Sequence, residues 1–232
     1  MTRVTGARER ARTEIAESIR AEARRQLADA GAARLSLRAV ARELGMVSSA
    51  LYRYYPSRDD LLTALIIDAY DAVGAAAERA AAAPAADPVA RWTAACHAVR
   101  RWALAHPHEY ALLYGSPVPG YAAPEATNAP GSRVARALIA VAEDAADAGL
   151  LDPAPVESAA VLRDAEQLVR RLGVRLHPAA MARLTAAWSQ LFGLVGFEVF
   201  GQFDNVVHAR EEFFDRAAAD LARGIGLRTP AP

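Results

Sequence analysis

The sequence predicts an all-α protein. Apolar residues recur at helical spacing along most of its 232 residues, and no segment shows the β-branched, period-two alternation of a strand. A third observation is local: residues 36–58, SLRAVARELGMVSSALYRYYPSR, read as two short helices joined by a glycine turn. The expected architecture is an N-terminal three-helix helix-turn-helix head, residues 1–57, joined through a long fourth helix to a helical body, residues 58–232.

Residues 1 to about 12 form an Arg-rich arm. A disordered terminus is the plain reading; the sharper one is a minor-groove or phosphate contact by Arg3, Arg8, Arg10 or Arg12. The first helix is expected over 13–30, with Ile15, Ile19, Ala23 and Leu27 on one face and Gly31 ending it. Ser36 is a good N-cap for the second, whose Leu37, Val40, Ala41 and Leu44 mark one buried stripe. Gly45 reaches the left-handed conformation cheaply and stops that helix sharply. A short helix over 47–55 follows, carrying Ser48, Ser49, Tyr52, Arg53, Tyr54 and Tyr55, and Pro56 closes it. This is the pattern whose second helix docks in the DNA major groove, so sequence-specific DNA binding is expected.

Ser57 caps a fourth helix running from Arg58 to about residue 83, with Asp59 and Asp60 in its first turn. Its Leu61, Leu62, Leu65, Ile66 and Ala69 tie it to both halves of the chain, which makes it the natural lever between them. Pro84 to Pro88 break the chain; Asp87 caps and Pro88 opens a fifth helix to about residue 105. Pro107 opens a short sixth to about 114. Seven of the eighteen residues 115–132 are Gly or Pro, which predicts a long irregular loop. Helices are then expected over 133–148, 155–172 and 178–203, with Asn205 capping a last one to about 223.

Met181, Leu184, Trp188, Leu191, Val195, Val199 and Phe203 form one stripe of the penultimate helix, and Phe192, Phe197 and Phe200 a second. A helix apolar over so much of its circumference is buried on two sides. Gly193 and Gly196 each cost about 1 kcal/mol in a helix interior, which a close helix approach offsets. The last helix repeats the theme with Val206, Val207, Phe213, Phe214, Ala217 and Leu221.

Net charge is zero but unevenly spread. Residues 1–60 hold 12 Arg against 8 acids, a net of +4; residues 61–232 hold 15 Arg against 19 acids, a net of −4. The basic half carries the motif, as an electrostatic footprint on DNA requires. Every basic side chain is Arg, as a GC-rich genome would favour. The single cysteine, Cys96, excludes an internal disulfide and fits a reducing cytoplasm, where the protein is expected. No segment resembles a signal peptide, and no apolar run approaches the roughly 20 residues needed to cross a bilayer.

His106, His108 and Glu109 form an H-x-H-E cluster, but Pro107 separates the histidines and no Cys joins them, so no metal is expected there. Cys96 has no visible acid–base partner and reads as a small buried hydrophobe. There is no nucleophile elbow, P-loop or dinucleotide fingerprint, and no cofactor is expected. The readings that compete with a DNA-binding regulator are a small all-α enzyme acting on a lipophilic substrate and a helical interaction module; the first lacks a polar dyad.

On Gly31, Ser36, Val40-Ala41, Gly45, Leu51-Tyr52, Tyr55 and Ser57-Arg58, residues 12–65 resemble the head of the TetR family of bacterial regulators. The segments 110–124 and 188–193 resemble one of its subgroups. Two positions depart from the pattern: Val47 stands where the family usually has a capping serine, and Tyr54 where many members carry a phosphate-binding histidine. The resemblance implies a homodimeric, ligand-responsive repressor of a palindromic double-stranded DNA operator, released by a small lipophilic or aromatic effector. DNA contacts are expected from Ser36, Ser48, Ser49, Tyr52, Arg53, Tyr54 and Arg58. An effector pocket in the body is implied, with Trp92, Cys96, Val99, Trp102, Tyr110, Tyr114, Trp188 and Phe192 as its candidate lining. Dimerisation is implied through the last two helices, about 179–203 and 205–223.

Overall fold

The computed structural model describes residues 2–83 and 87–230, with side chains from Arg8 onward. The described residues form eleven α-helices and no strand, as the periodicity predicts. These are α1 (Thr2–Ala30), α2 (Leu37–Glu43), α3 (Ser48–Leu51), α4 (Arg58–Ala81), α5 (Pro88–Ala105), α6 (Pro107–Tyr114), α7 (Asn128–Gly131), α8 (Arg133–Asp147), α9 (Ala159–Leu172), α10 (Pro178–Val199) and α11 (Arg210–Ile225).

Two compact units divide these elements. The first comprises Met1–Tyr70 and His106–Asn128, the second Asp71–Ala105 and Ala129–Pro232. The first therefore takes in the opening half of α4, all of α6 and most of the segment that follows, and not only residues 1–57. Its core joins Ile19 and Ala23 of α1, Leu37, Val40 and Ala41 of α2, Leu51 of α3, Tyr55, and Leu61, Leu62 and Leu65 of α4. Leu112, Val118 and Tyr121 pack onto that core from α6 and the loop after it. Ile15, expected on the same face of the first helix, is exposed.

In the second unit α5 packs against α8, α10 and α11, and α9 and α11 against α10. Trp92, Cys96, Val99 and Ala103 form the buried stripe of α5; Leu138, Val141 and Ala142 of α8 and Leu191 and Val195 of α10 are equally enclosed. Leu151 and Leu227 form an isolated antiparallel bridge, which ties the end of the chain to the segment before α9.

Several helix ends differ from the expectation. The first helix starts at Thr2, so the arm is helical and Arg8, Arg10 and Arg12 ride on it; the side chain of Arg3 lies outside those described. The third ends at Leu51, and tighter turns carry the chain to Tyr55: Arg53 N donates to Ala50 O at 3.3 Å and Tyr54 N to Leu51 O at 2.8 Å. Pro56 explains this, since the residue before a proline is driven out of the helical region. Within 115–132 the structure adds a 3-10 turn at Glu125–Thr127 and the short α7. Pro84–Ala86 lie outside the described residues, while Asp87 caps α5 by accepting from Val89 N at 2.9 Å. Asn205 does not cap the last helix. It and Gly201 have positive φ, 62° and 77°, and these left-handed residues hold a ten-residue turn between α10 and α11.

Candidate nucleic-acid interface

Ser36 takes extended backbone and its hydroxyl accepts from Ala39 N at 3.4 Å, opening α2. At the other end Met46 N reaches Ala41 O at 2.8 Å and Gly45 N reaches Arg42 O at 3.1 Å. This is the paired-bond helix stop in which the residue past the cap is left-handed, and Gly45 supplies it with φ 64°. The turn aims α3 with its first residues outward. Val47 is the N-cap and offers no side-chain bond, so the hydroxyls of Ser48 and Ser49 and the first N–H groups of α3 face solvent.

Val47, Ser48, Ser49, Tyr52 and Arg53 are all exposed, whereas Leu51 between them is fully buried. Leu51 is thus the anchor that holds the polar face outward. Tyr54 is half-buried, and the Arg12 guanidinium lies over its ring at 5.9 Å from the centroid. Such a contact leaves a cation beside the phenol. Tyr55 turns inward, and its hydroxyl accepts from Arg20 at 3.1 Å.

Arg58 has a different place from the expected one. It donates to the carbonyls of Ala32 (2.8 Å), Leu35 (3.2 Å) and Ala33 (3.4 Å), and pairs with Asp59 at 3.6 Å. These bonds tie the start of α4 to the α1–α2 connector, a positioning role that the sequence reading of Arg58 as a phosphate contact did not include. Sequence reading also passed over the cluster beneath the motif. Asp68 of α4 lies 2.9 Å from Arg20 and 2.6 Å from Arg24, and Arg24 reaches Glu109 of α6 at 3.6 Å. Arg20 and Asp68 are 48 positions apart, a separation no local pattern reports.

The candidate effector residues fall in both units. Trp92, Cys96, Val99 and Trp102 are buried on α5, and Trp188 and Phe192 are half-buried on α10, their rings 5.3 Å apart. Tyr110 and Tyr114 belong to the first unit, where their rings lie 5.1 Å apart and Tyr70 meets Tyr114 edge-on at 6.2 Å. Burial pushes the Cys96 thiol well above its ordinary range, which suppresses the reactive thiolate. One ionic cluster is buried with α5: Arg100 grips Glu198 of α10 through two bonds of 2.6 and 2.7 Å, adds Glu211 of α11, and lies over Phe214. Among the described residues no three His, Cys, Asp or Glu side chains gather as a metal site, and no helix is long and apolar enough to cross a membrane.

A buried anchor under an exposed, uncapped polar helix, set by a glycine turn, defines a helix-turn-helix DNA-binding regulator. Residues 19–65 match the family described as bacterial regulatory proteins, tetR family, and residues 92–221 the tetracyclin repressor-like C-terminal domain. The chain is 42% identical over 209 residues to the HTH-type transcriptional regulators Rv1816 of Mycobacterium tuberculosis and Mb1846 of Mycobacterium bovis, covering 85% of this chain and 86% of each of theirs. Its structure is similar to that of SCO4313, provisionally described as a regulatory protein, with a TM-score of 0.74 and 37% identity over 92% of this chain and 97% of that one. It shares its fold with the regulator PfmR from Thermus thermophilus, with a TM-score of 0.59 and 21% identity over 89% and 97% of the two chains. The chain belongs to the TetR family of transcriptional regulators. It is a DNA-binding regulator and not an enzyme.

Proposed function

We propose that this protein is a cytoplasmic, ligand-responsive repressor that binds a palindromic operator as a homodimer and is released by a small lipophilic or aromatic effector. The observation that carries the DNA reading is the exposed face of α3 above buried Leu51. Ser48 and Ser49 face base edges, Tyr52 and Tyr54 grip phosphates, and Ser36 holds a further phosphate at the start of α2. Arg53 reads a guanine or pairs with a phosphate. The effector enters the aromatic core of the body around α5 and α10. It releases DNA only by binding the released arrangement more tightly than the DNA-bound one.

A groove of about 740 Å³ on α10 and α11 supports dimerisation through these helices. Phe197, Phe203 and Phe213 line it, and Phe197 and Phe213 are exposed. Gly193 and Gly224 open onto the same groove, and a Cβ at either would meet nothing within 4 Å. No described residue therefore requires glycine at these positions, whereas a second copy lying close against α10 and α11 would. A two-fold dimer also matches the symmetry of a palindromic operator.

Fluorescence anisotropy against the protein's own upstream intergenic DNA, titrated across salt, tests the DNA reading. The expected result is specific binding with a steep salt slope, weakened in Tyr54→Ala; affinity no tighter than for random duplex, with and without candidate effectors, would sink it. Sedimentation of Gly193→Leu tests the interface: a folded monomer is expected, and an unaltered dimer would place the interface elsewhere.

A further inference from the structure

The cations of the second unit are mostly committed. Arg133 holds Glu78 and Asp71, Arg100 holds Glu198 and Glu211, and Arg91 pairs with Asp144. Arg79 and Arg101, like Arg163 and Arg171 of α9, are exceptions. Neither has a hydrogen bond or a carboxylate within 4.0 Å among the described residues; the acids that feel them, Glu78 and Glu211, are already gripped by Arg133 and Arg100. Both nevertheless line one groove of about 520 Å³, together with Ala76, Ala80, Ala98 and Trp102.

Helical spacing builds this groove. Ala76, Arg79 and Ala80 share a face of α4, and Ala98, Arg101 and Trp102 share a face of α5, at the i, i+3 and i+4 positions that stand side by side. The alanines make the concavity, because a larger side chain at any of them would fill it. Ala98 and Trp102 are buried and form its floor, while the two arginines are exposed at its walls. Two uncommitted guanidinium groups beside an indole over an apolar floor suit one kind of guest. The guanidinium forks match a carboxylate or phosphate, and the indole and methyl groups cover a flat apolar body.

We infer that the Arg79–Arg101–Trp102 groove is a binding site for an amphipathic oxyanion, a carboxylate or phosphate carried on an aromatic body. Trp102, one of the candidate effector residues, borders this groove, and the site differs from the buried core around Cys96 in taking a ligand charged at one end and held at the surface. It stands independently of the effector and operator readings, because the ligand is measured on the protein alone with no DNA present.

Isothermal titration of the full chain at low salt with 1-naphthoate, 1-naphthyl phosphate and neutral 1-naphthamide tests the site. Saturable binding of one or both anions is expected at one per chain, with the tighter of the two identifying the preferred oxyanion. The amide should bind at least about tenfold more weakly, and Arg79→Gln and Arg101→Gln should each lose about tenfold, as expected for one charge-assisted contact. Ala80→Phe should block the groove. The arginines are exposed, so thermal midpoints of their variants should match the parent. Equal binding of the amide, affinity indifferent to both arginines, or no saturable binding of either anion would each overturn the assignment.

Discussion

Arg133 lies across Gly74: a Cβ placed on Gly74 would stand 2.6 Å from the Cβ of Arg133, closer than any real contact. The absent side chain lets the root of Arg133 sit against α4 while its guanidinium spreads to Glu78 at 2.6 and 2.8 Å and to Asp71 at 2.7 Å. Gly74→Ala should therefore push α8 outward and weaken these pairs, costing about 1–3 kcal/mol of stability, as overpacking does. Urea denaturation measures it, and a variant as stable as the parent would show that the clamp adjusts freely.

Arg58 gives a prediction that separates positioning from DNA contact. Arg58→Met should lower the thermal midpoint, since the guanidinium bonds to the connector carbonyls of Ala32 and Leu35 are lost. The dependence of DNA binding on salt should keep its slope. A slope shallower by about 1 would make Arg58 a phosphate ligand after all.

For Arg53, exposed on the face above Leu51, the expected effect lies in recognition alone. Arg53→Ala should cost about 1–3 kcal/mol of operator binding without altering the melting curve. Relaxed preference at a single base pair identifies readout, and uniform weakening on all sequences identifies a phosphate contact. Wild-type affinity would remove Arg53 from the interface.

Acid should loosen the Gly74–Arg133 clamp. The hydrogen bonds from Arg133 hold the Glu78 carboxyl below its ordinary value of 4.5. The unfolded chain then takes up that proton more readily than the folded one, so the stabilisation is full above pH 4.5 and is lost as pH falls through the lower folded value. Glu78→Gln should flatten the part of the stability profile that falls away below pH 4.5. An unchanged acid limb would assign the sensitivity to other carboxylates.

Much of the head was legible because its signals are local. Ser36 three residues before Ala39, Gly45 after Leu44, and Asp60 three residues after Ser57 each declare a helix end, and the structure bonds Ser57 N to Asp60 at 2.9 Å and Asp60 N back to Ser57 at 3.1 Å. Signals that compete over a few residues were harder to read. Asn205 is a good cap by type, yet it and Gly201 favour the left-handed turn that ends α10 early, and Pro56 shortens α3. What sequence could not supply was pairing across distance. Arg58 looked free because its partners are carbonyls 23 to 26 residues away, and Arg79 and Arg101 stand out only once Glu78 and Glu211 are seen to be taken.

The division of labour within the turn after Gly45 has a consequence for how this protein can change. Ser48, Ser49, Tyr52 and Arg53 lie outside the core cluster, while Leu51 and Tyr55 belong to it and hold the segment in place. On the proposed reading of this face, substitutions at the four outward positions shift operator preference, by drift or by design, at little cost to folding and on an unchanged scaffold.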